Sequence, residues 1–164
     1  MNVWPPRKRW PIRLGPLLCA ALVLWGLVFC LRRQQSVPLH MEEAASAVAA
    51  YLIRTSGEWP RSEKDLESAG VISIQKDGRC YLTQDAMDDL TDATDQFAPM
   101  RFGFELSRIE IGWDGRPVDE SGSLLAARGV GGFGSAGRAT ILSGKLRRIA
   151  NEAAARAVSP QPPE

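Results

Sequence analysis

The sequence contains one histidine, His40, and three cysteines, Cys19, Cys30 and Cys80. A zinc site needs three or four imidazole or thiolate ligands, so His40 and Cys80 together cannot supply one. Because Cys80 is the one cysteine after residue 30, a disulfide framework in the rest of the chain is excluded. No nucleophile stands in a recognisable catalytic pattern. The composition therefore predicts no cofactor and no enzymatic activity.

Acidic side chains are absent from the first 33 residues, and all 19 of them follow. Residues 34–164 carry 14 basic and 19 acidic side chains, a net charge of −5. Binding of nucleic-acid phosphates requires a basic face. We therefore expect no nucleic-acid partner. The basic residues before position 34 are Arg7, Lys8, Arg9, Arg13, Arg32 and Arg33.

Residues 14–31 form an uncharged run of eighteen residues, LGPLLCAALVLWGLVFCL. At the helical rise of about 1.5 Å per residue the run covers about 27 Å, close to the hydrocarbon thickness of a bilayer. It lacks a small-x-small cleavage pattern, unlike a cleaved signal peptide. More basic residues precede the run than follow it, which favours a cytoplasmic N-terminus. The run thus predicts a single-pass helix in the bacterial inner membrane, with the lipid bilayer as a partner.

The fold class predicted from the sequence is α+β. A single N-terminal transmembrane helix is followed by a helix packed on a small antiparallel sheet, with a C-terminal helix. Pro38 disfavours an unbroken helix between the membrane and the domain. The predicted divisions are a basic cytoplasmic N-terminus (1–13), the transmembrane helix (14–31), a connector (32–39), a periplasmic domain (40–158) and a disordered tail (159–164).

Helical periodicity appears in four parts of this domain. Apolar residues after Met41 recur on one stripe, and Gly57 is a natural stop for that helix. Ser62 and the carboxylate three residues later form the pattern of a capping box, which predicts a short second helix. Helical spacing of apolar residues also predicts helices over 85–97 and 141–158.

Strand signals separate these helices. Asp77-Gly78 predicts the turn of a hairpin whose strands cover 71–75 and 80–83. Between residues 100 and 113 apolar residues alternate with polar ones, but the phase changes at Ser107-Arg108. Such a change predicts a bulge or a tight turn between two strands. Asp114-Gly115 is a further turn signal.

Two motifs have a ligand-binding interpretation and a structural one. Five aspartates on the helix over 85–97 could attract a divalent cation, although their spacing is not that of a calcium-binding loop. A solvated acidic face is the alternative. The sequence GVGGFG at 129–134 has the letters of the dinucleotide fingerprint without room for a second βα unit, so a flexible glycine loop is the alternative. The aspartates are Asp85, Asp88, Asp89, Asp92 and Asp95.

Residues 47–70, AVAAYLIRTSGEWPRSEKDLESAG, resemble the segment after the N-terminal helix in type IV pilin-like and type II secretion pseudopilin proteins. In those proteins a tyrosine-bearing helix end runs into Gly-x-(aromatic)-Pro and then a short helix with a leucine. The family's processing pattern is absent, because Gly15 is followed by Pro-Leu-Leu-Cys. The resemblance implies an uncleaved relative of that fold. The matching positions are Tyr51, Gly57, Trp59, Pro60 and Leu66.

These observations give a leading hypothesis and two others. The leading one is a membrane-anchored, non-enzymatic scaffold or interaction component of an envelope assembly. Its partners would be proteins of the cell envelope, and the sequence does not determine its oligomeric state. The alternative is a membrane-tethered sensor domain that binds a ligand or cation through the acidic helix. An enzyme that uses Asp114, Asp119 and Glu120 as paired carboxylates is a third hypothesis.

Overall fold

The computed structural model describes residues 14–97, 103–128 and 135–158. These residues form an α+β arrangement with two small antiparallel sheets, and the chain divides after Gln34 into two compact units. Two 3₁₀ turns lie at Leu106–Arg108 and Trp113–Gly115. The helices are α1 (Leu14–Arg54), α2 (Glu63–Ser68), α3 (Gln84–Ala93) and α4 (Ser135–Val158), and the strands are β1 (Ile72–Ile74), β2 (Cys80–Leu82), β3 (Ile109–Ile111) and β4 (Leu125–Ala127).

Residues 14–31 are the first part of α1 rather than a separate membrane segment. Over the described residues, the model has no helix with the length and apolar character that a membrane crossing requires. The predicted transmembrane helix is therefore wrong, and so are the single-pass and inner-membrane assignments. The prediction treated the uncharged run in isolation, whereas it belongs to a helix of 41 residues that also contains Arg32, Arg33, Glu42 and Glu43.

The helix break expected at Pro38 is also wrong, because α1 continues through this residue. Proline inside a helix removes one backbone hydrogen bond and costs about 3 kcal/mol. Val37 and Met41, one on each side of the proline, are buried in the second unit. Their burial offsets part of that cost, so packing overrides the local preference of Pro38.

The second half of α1 is the central element of the domain. The sequence predicted one apolar stripe, but the helix between Met41 and Leu52 is buried on most of its circumference. A helix that is apolar on all sides requires neighbours on all sides. The small side chains allow these neighbours to approach closely. The fully buried alanines of this segment are Ala44, Ala45, Ala47, Ala49 and Ala50.

The predicted hairpin is confirmed. β1 pairs antiparallel with β2, and Ile72 lies opposite Leu82. Phe104 continues this first sheet by a bridge to Cys80. The chain then turns through Leu106–Arg108 and enters β3, which pairs with β4. The predicted phase change at Ser107-Arg108 is therefore the point at which the chain moves from one sheet to the other.

The last helix closes the domain. α4 begins six residues earlier than predicted, and its Leu142, Leu146 and Ile149 are buried as the spacing indicated. The ammonium group of Lys145 donates to the carbonyl of Gln96 at 2.7 Å and lies 5.3 Å from the centre of the Phe97 ring. The predictions for 1–13, for the glycine-rich 129–134 and for the tail 159–164 lie outside the described residues.

Candidate interaction site at Trp59

The residues that carry the pilin-like resemblance meet where α1 ends. Tyr51 lies in the last turn of α1, and Gly57 follows the helix with a φ of +92°. The Gly57 amide donates to the carbonyl of Leu52 at 2.7 Å, which closes the helix terminus. A Cβ atom at Gly57 would lie 2.6 Å from the Ala150 carbonyl oxygen. Glycine therefore allows α4 to pack directly on this turn.

Trp59 packs against the second turn signal of the sequence. A Cβ atom at Gly115 would lie 3.0 Å from the indole ring of Trp59, and Gly115 has a φ of +69°. The amide of Asp114 donates to the carbonyl of Pro60 at 2.9 Å. The Gly-x-Trp-Pro segment and the Trp113–Gly115 turn thus form one structural unit. The sequence predicted both turns but not this contact.

Pro60 and Leu66 anchor the Gly-x-Trp-Pro segment in the core. Both side chains are buried, and Leu66 has no solvent-exposed surface. The carboxylate of Asp65 accepts hydrogen bonds from the amides of Arg61 at 2.7 Å and Ser62 at 3.2 Å, which starts α2 as the predicted capping box requires. Two of the five motif residues are therefore structural, and the other three line a surface cleft.

This surface depression, hereafter the Trp59 cleft, has a volume of about 560 Å³. It is larger than the groove of about 250 Å³ at the ends of α1, α3 and α4, which is lined by both apolar and polar side chains. Its chemistry is mixed, with two aromatic side chains, three carboxylates and one guanidinium group. The lining residues are Tyr51, Gly57, Glu58, Trp59, Arg61, Asp65 and Asp114.

The electrostatic environment of the Trp59 cleft is negative. Burial raises the pKa of Tyr51 above its ordinary value, and the nearby Asp65 and Glu58 raise it further, whereas Arg61 opposes them. Arg61 Nε lies 3.8 Å from Asp114 Oδ1, and the two side chains are 86% and 45% exposed. Solvent screens such a pair strongly. The single guanidinium therefore leaves the carboxylates of the cleft incompletely neutralised.

The carboxylates of the enzyme hypothesis do not meet in the Trp59 cleft. Its lining has no histidine, cysteine or serine that could act as a nucleophile with a base beside it. The proposed carboxylate set is divided, because Asp114 lies in the cleft while Asp119 belongs to a separate loop. There Asp119 accepts from Ser121 Oγ at 2.7 Å and from the Ser123 amide at 2.9 Å. These bonds lower the pKa of Asp119, as expected of a turn-forming carboxylate.

The acidic face of α3 is mostly exposed. Asp85, Asp88 and Asp92 are exposed, whereas Asp89 accepts a hydrogen bond from Arg54 Nε at 2.5 Å. No group of three carboxylate, imidazole or thiolate side chains gathers within reach of one metal ion in the described parts of the chain. Asp85, Asp88 and Asp92 thus lie on a solvated face of α3.

His40 and Cys80 lie apart from the cleft. Burial, followed by the charges of Glu63 and Glu67, raises the pKa of the Cys80 thiol to about 11, so this cysteine is an inert core residue. Burial, with Arg108 next in importance, lowers the pKa of His40.

The buried carboxylate of Glu43 was not predicted. Its Oε1 accepts from the amide of Gly103 at 3.0 Å. Because Glu43 stands in the predicted first turn of a helix, its sequence context gave no signal of burial.

Gly57 and Trp59 lie in one turn and Asp114 lies in another, so their meeting depends on the tertiary fold. The sequence signal that could have found the cleft is the pair of aromatic turn motifs, Gly-Glu-Trp-Pro and Gly-Trp-Asp-Gly. No protein-family model matches this chain, and no curated protein and no solved structure is significantly similar to it.

Proposed function

We propose that this protein is a non-enzymatic interaction component that binds a protein partner through the Trp59 cleft. The proposal keeps the interaction role implied by the pilin-like resemblance of residues 47–70. The observation that carries it is the cleft itself, in which aromatic and charged side chains surround an open volume of about 560 Å³. Tryptophan, tyrosine and arginine are the residues that dominate binding energy in protein interfaces.

The frame of the cleft supports this role. Pro60 and Leu66 anchor it in the core, and Gly115 and the Asp114 amide hold the Trp59 segment from the other side. A preformed surface loses little conformational entropy when a partner binds. A rigid aromatic surface without a catalytic group is the arrangement expected of a docking site.

Site-specific photo-crosslinking tests the proposal. A photoreactive benzoylphenylalanine placed at Arg61, an exposed residue of the cleft, is expected to give one discrete crosslinked protein in cells that naturally make this chain. The matched control position is Ser73, which is exposed in the hairpin and does not line the cleft. It should give no such product.

The crosslink should depend on the indole ring. In the Trp59→Phe background, which retains an aromatic ring over Gly115, the yield should fall by about tenfold, the scale of one lost interface anchor. Thermal melting of the variant provides the check on folding. Equal crosslinking in both backgrounds, or the same product from position 73, would contradict the proposed function.

A further inference from the structure

We propose that the Trp59 cleft binds an arginine or lysine side chain of the partner protein. This inference rests on the proposed function and adds the chemical class of the ligand. It is based on the negative charge of the cleft, on its aromatic lining and on the weak ion pair between Arg61 and Asp114.

The charge of the lining calls for a cation. Glu58, Asp65 and Asp114 face one basic residue, Arg61. Asp65 already accepts two backbone hydrogen bonds. Glu58 and Asp114 are both exposed, so their carboxylates can accept hydrogen bonds from an incoming guanidinium or ammonium group.

The aromatic side chains add a second reason for a cation. Trp59 packs on Gly115 and still lines the cleft, and Tyr51 lines it from the last turn of α1. An indole ring is the best aromatic partner for a cation, and guanidinium groups stack on such rings more often than ammonium groups. An anionic or purely aliphatic side chain would gain neither the ring interaction nor the carboxylate contacts.

The resident cation can leave. Arg61 Nε approaches Asp114 Oδ1 only to 3.8 Å, and the Arg61 side chain is 86% exposed. Its backbone, by contrast, is fixed through the hydrogen bond from its amide to Asp65. The Arg61 side chain can therefore move into solvent while the frame stays in place, and a cation from the partner can take its position beside Asp114.

The test is a titration of the full ¹⁵N-labelled chain with a tetra-arginine peptide, with tetra-glutamate as the control peptide. The indole N–H signal of Trp59, assigned from its absence in Trp59→Phe, reports binding. We expect this signal to shift with tetra-arginine and not with tetra-glutamate. The Trp113 indole, outside the cleft, should shift less.

Two charge-matched double variants separate the cleft from general attraction. Glu58→Gln with Asp114→Asn removes two charges from the cleft, and we expect it to weaken tetra-arginine binding by about tenfold. Asparagine also tolerates the positive φ of Asp114. Asp88→Asn with Asp92→Asn removes two charges from the exposed face of α3 and should change binding less than twofold.

Equal weakening by the two double variants would overturn the inference, and so would equal shifts with both peptides. The proposed function fails separately, through the crosslink at position 61. If that crosslink depends on Trp59 while tetra-arginine binds both double variants equally, the cleft is a docking site but its ligand is not a basic side chain.

Discussion

At Gly57 the backbone adopts a φ of +92°, and α4 passes directly over the residue. Gly57→Ala should destabilise the protein by about 2–4 kcal/mol, because a side chain there is strained and would meet the Ala150 carbonyl at 2.6 Å. The matched control is Gly144→Ala in the interior of α4, where no atom lies near the added methyl group. There the higher helix propensity of alanine should raise the free energy of unfolding by about 0.5–1 kcal/mol. Urea unfolding measures both, and similar midpoints for the two variants would contradict the packing at Gly57.

His40 gives the protein a defined pH dependence. Burial, then Arg108 and finally Arg79 lower its pKa, whereas Glu105 and the hydrogen bond with the Gly103 backbone partly oppose this shift. The unfolded chain therefore binds a proton more readily than the folded one, so stability is lost as the pH falls below about 6.5 and levels off below the folded pKa. Thermal melting between pH 8 and pH 5 should show a larger decrease for the wild type than for His40→Gln. Parallel profiles would contradict the expected shift.

Among the elements, the end of α1 is linked to two other helices by Arg54. Its guanidinium donates to Asp89 of α3 at 2.5 Å and to the Ala69 carbonyl after α2 at 2.9 Å. The Arg54 and Asp89 side chains are 25% and 38% exposed, so solvent screens their attraction only in part. Asp89→Asn should cost about 0.5–1 kcal/mol, whereas Asp88→Asn on the exposed face should cost less. Equal losses in urea unfolding would show that the link does not stabilise the fold.

Elements with strong local signals were predictable. The hairpin followed from Asp77-Gly78, the short α2 from the Ser62 capping box, and the buried side of α4 from its helical spacing. β4 was not predicted, because Leu125–Ala127 has only three residues and no turn or alternation that distinguishes it from a loop.

The continuation of α1 through Pro38 and the contact between Trp59 and Gly115 were missed for a different reason. Both depend on tertiary packing, which local propensity does not contain. The sequence therefore identified Tyr51, Gly57 and Trp59 as motif residues and Asp114 as a candidate carboxylate. It did not predict that they line one cleft, because Asp114 is 55 residues away from Trp59 in the chain.

For the whole molecule, the core belongs to the second unit. The buried apolar residues that the structure describes begin at Val37, after the division at Gln34. A fragment of residues 35–164 should therefore unfold in one cooperative transition, with a midpoint within a few degrees of the full chain. Calorimetry of both proteins measures this. A broad transition, or a decrease of more than about 10 °C, would show that the first 34 residues stabilise the domain.

The position of α4 has a consequence for how the protein is made. Of the described helices, α1 leaves the ribosome before α4, whose Ala150 carbonyl lies against the Gly57 turn. The amide of Leu124 donates a hydrogen bond to the hydroxyl of Ser143 in α4 at 2.7 Å, so this bond also requires α4 to have been synthesised. Domains fold as units during synthesis, and incomplete cores expose apolar surface. We expect nascent chains stalled before Ser135 to be digested rapidly by protease, and released chains to resist it. The turn after α1 thus lacks its packing partner until α4 has been synthesised.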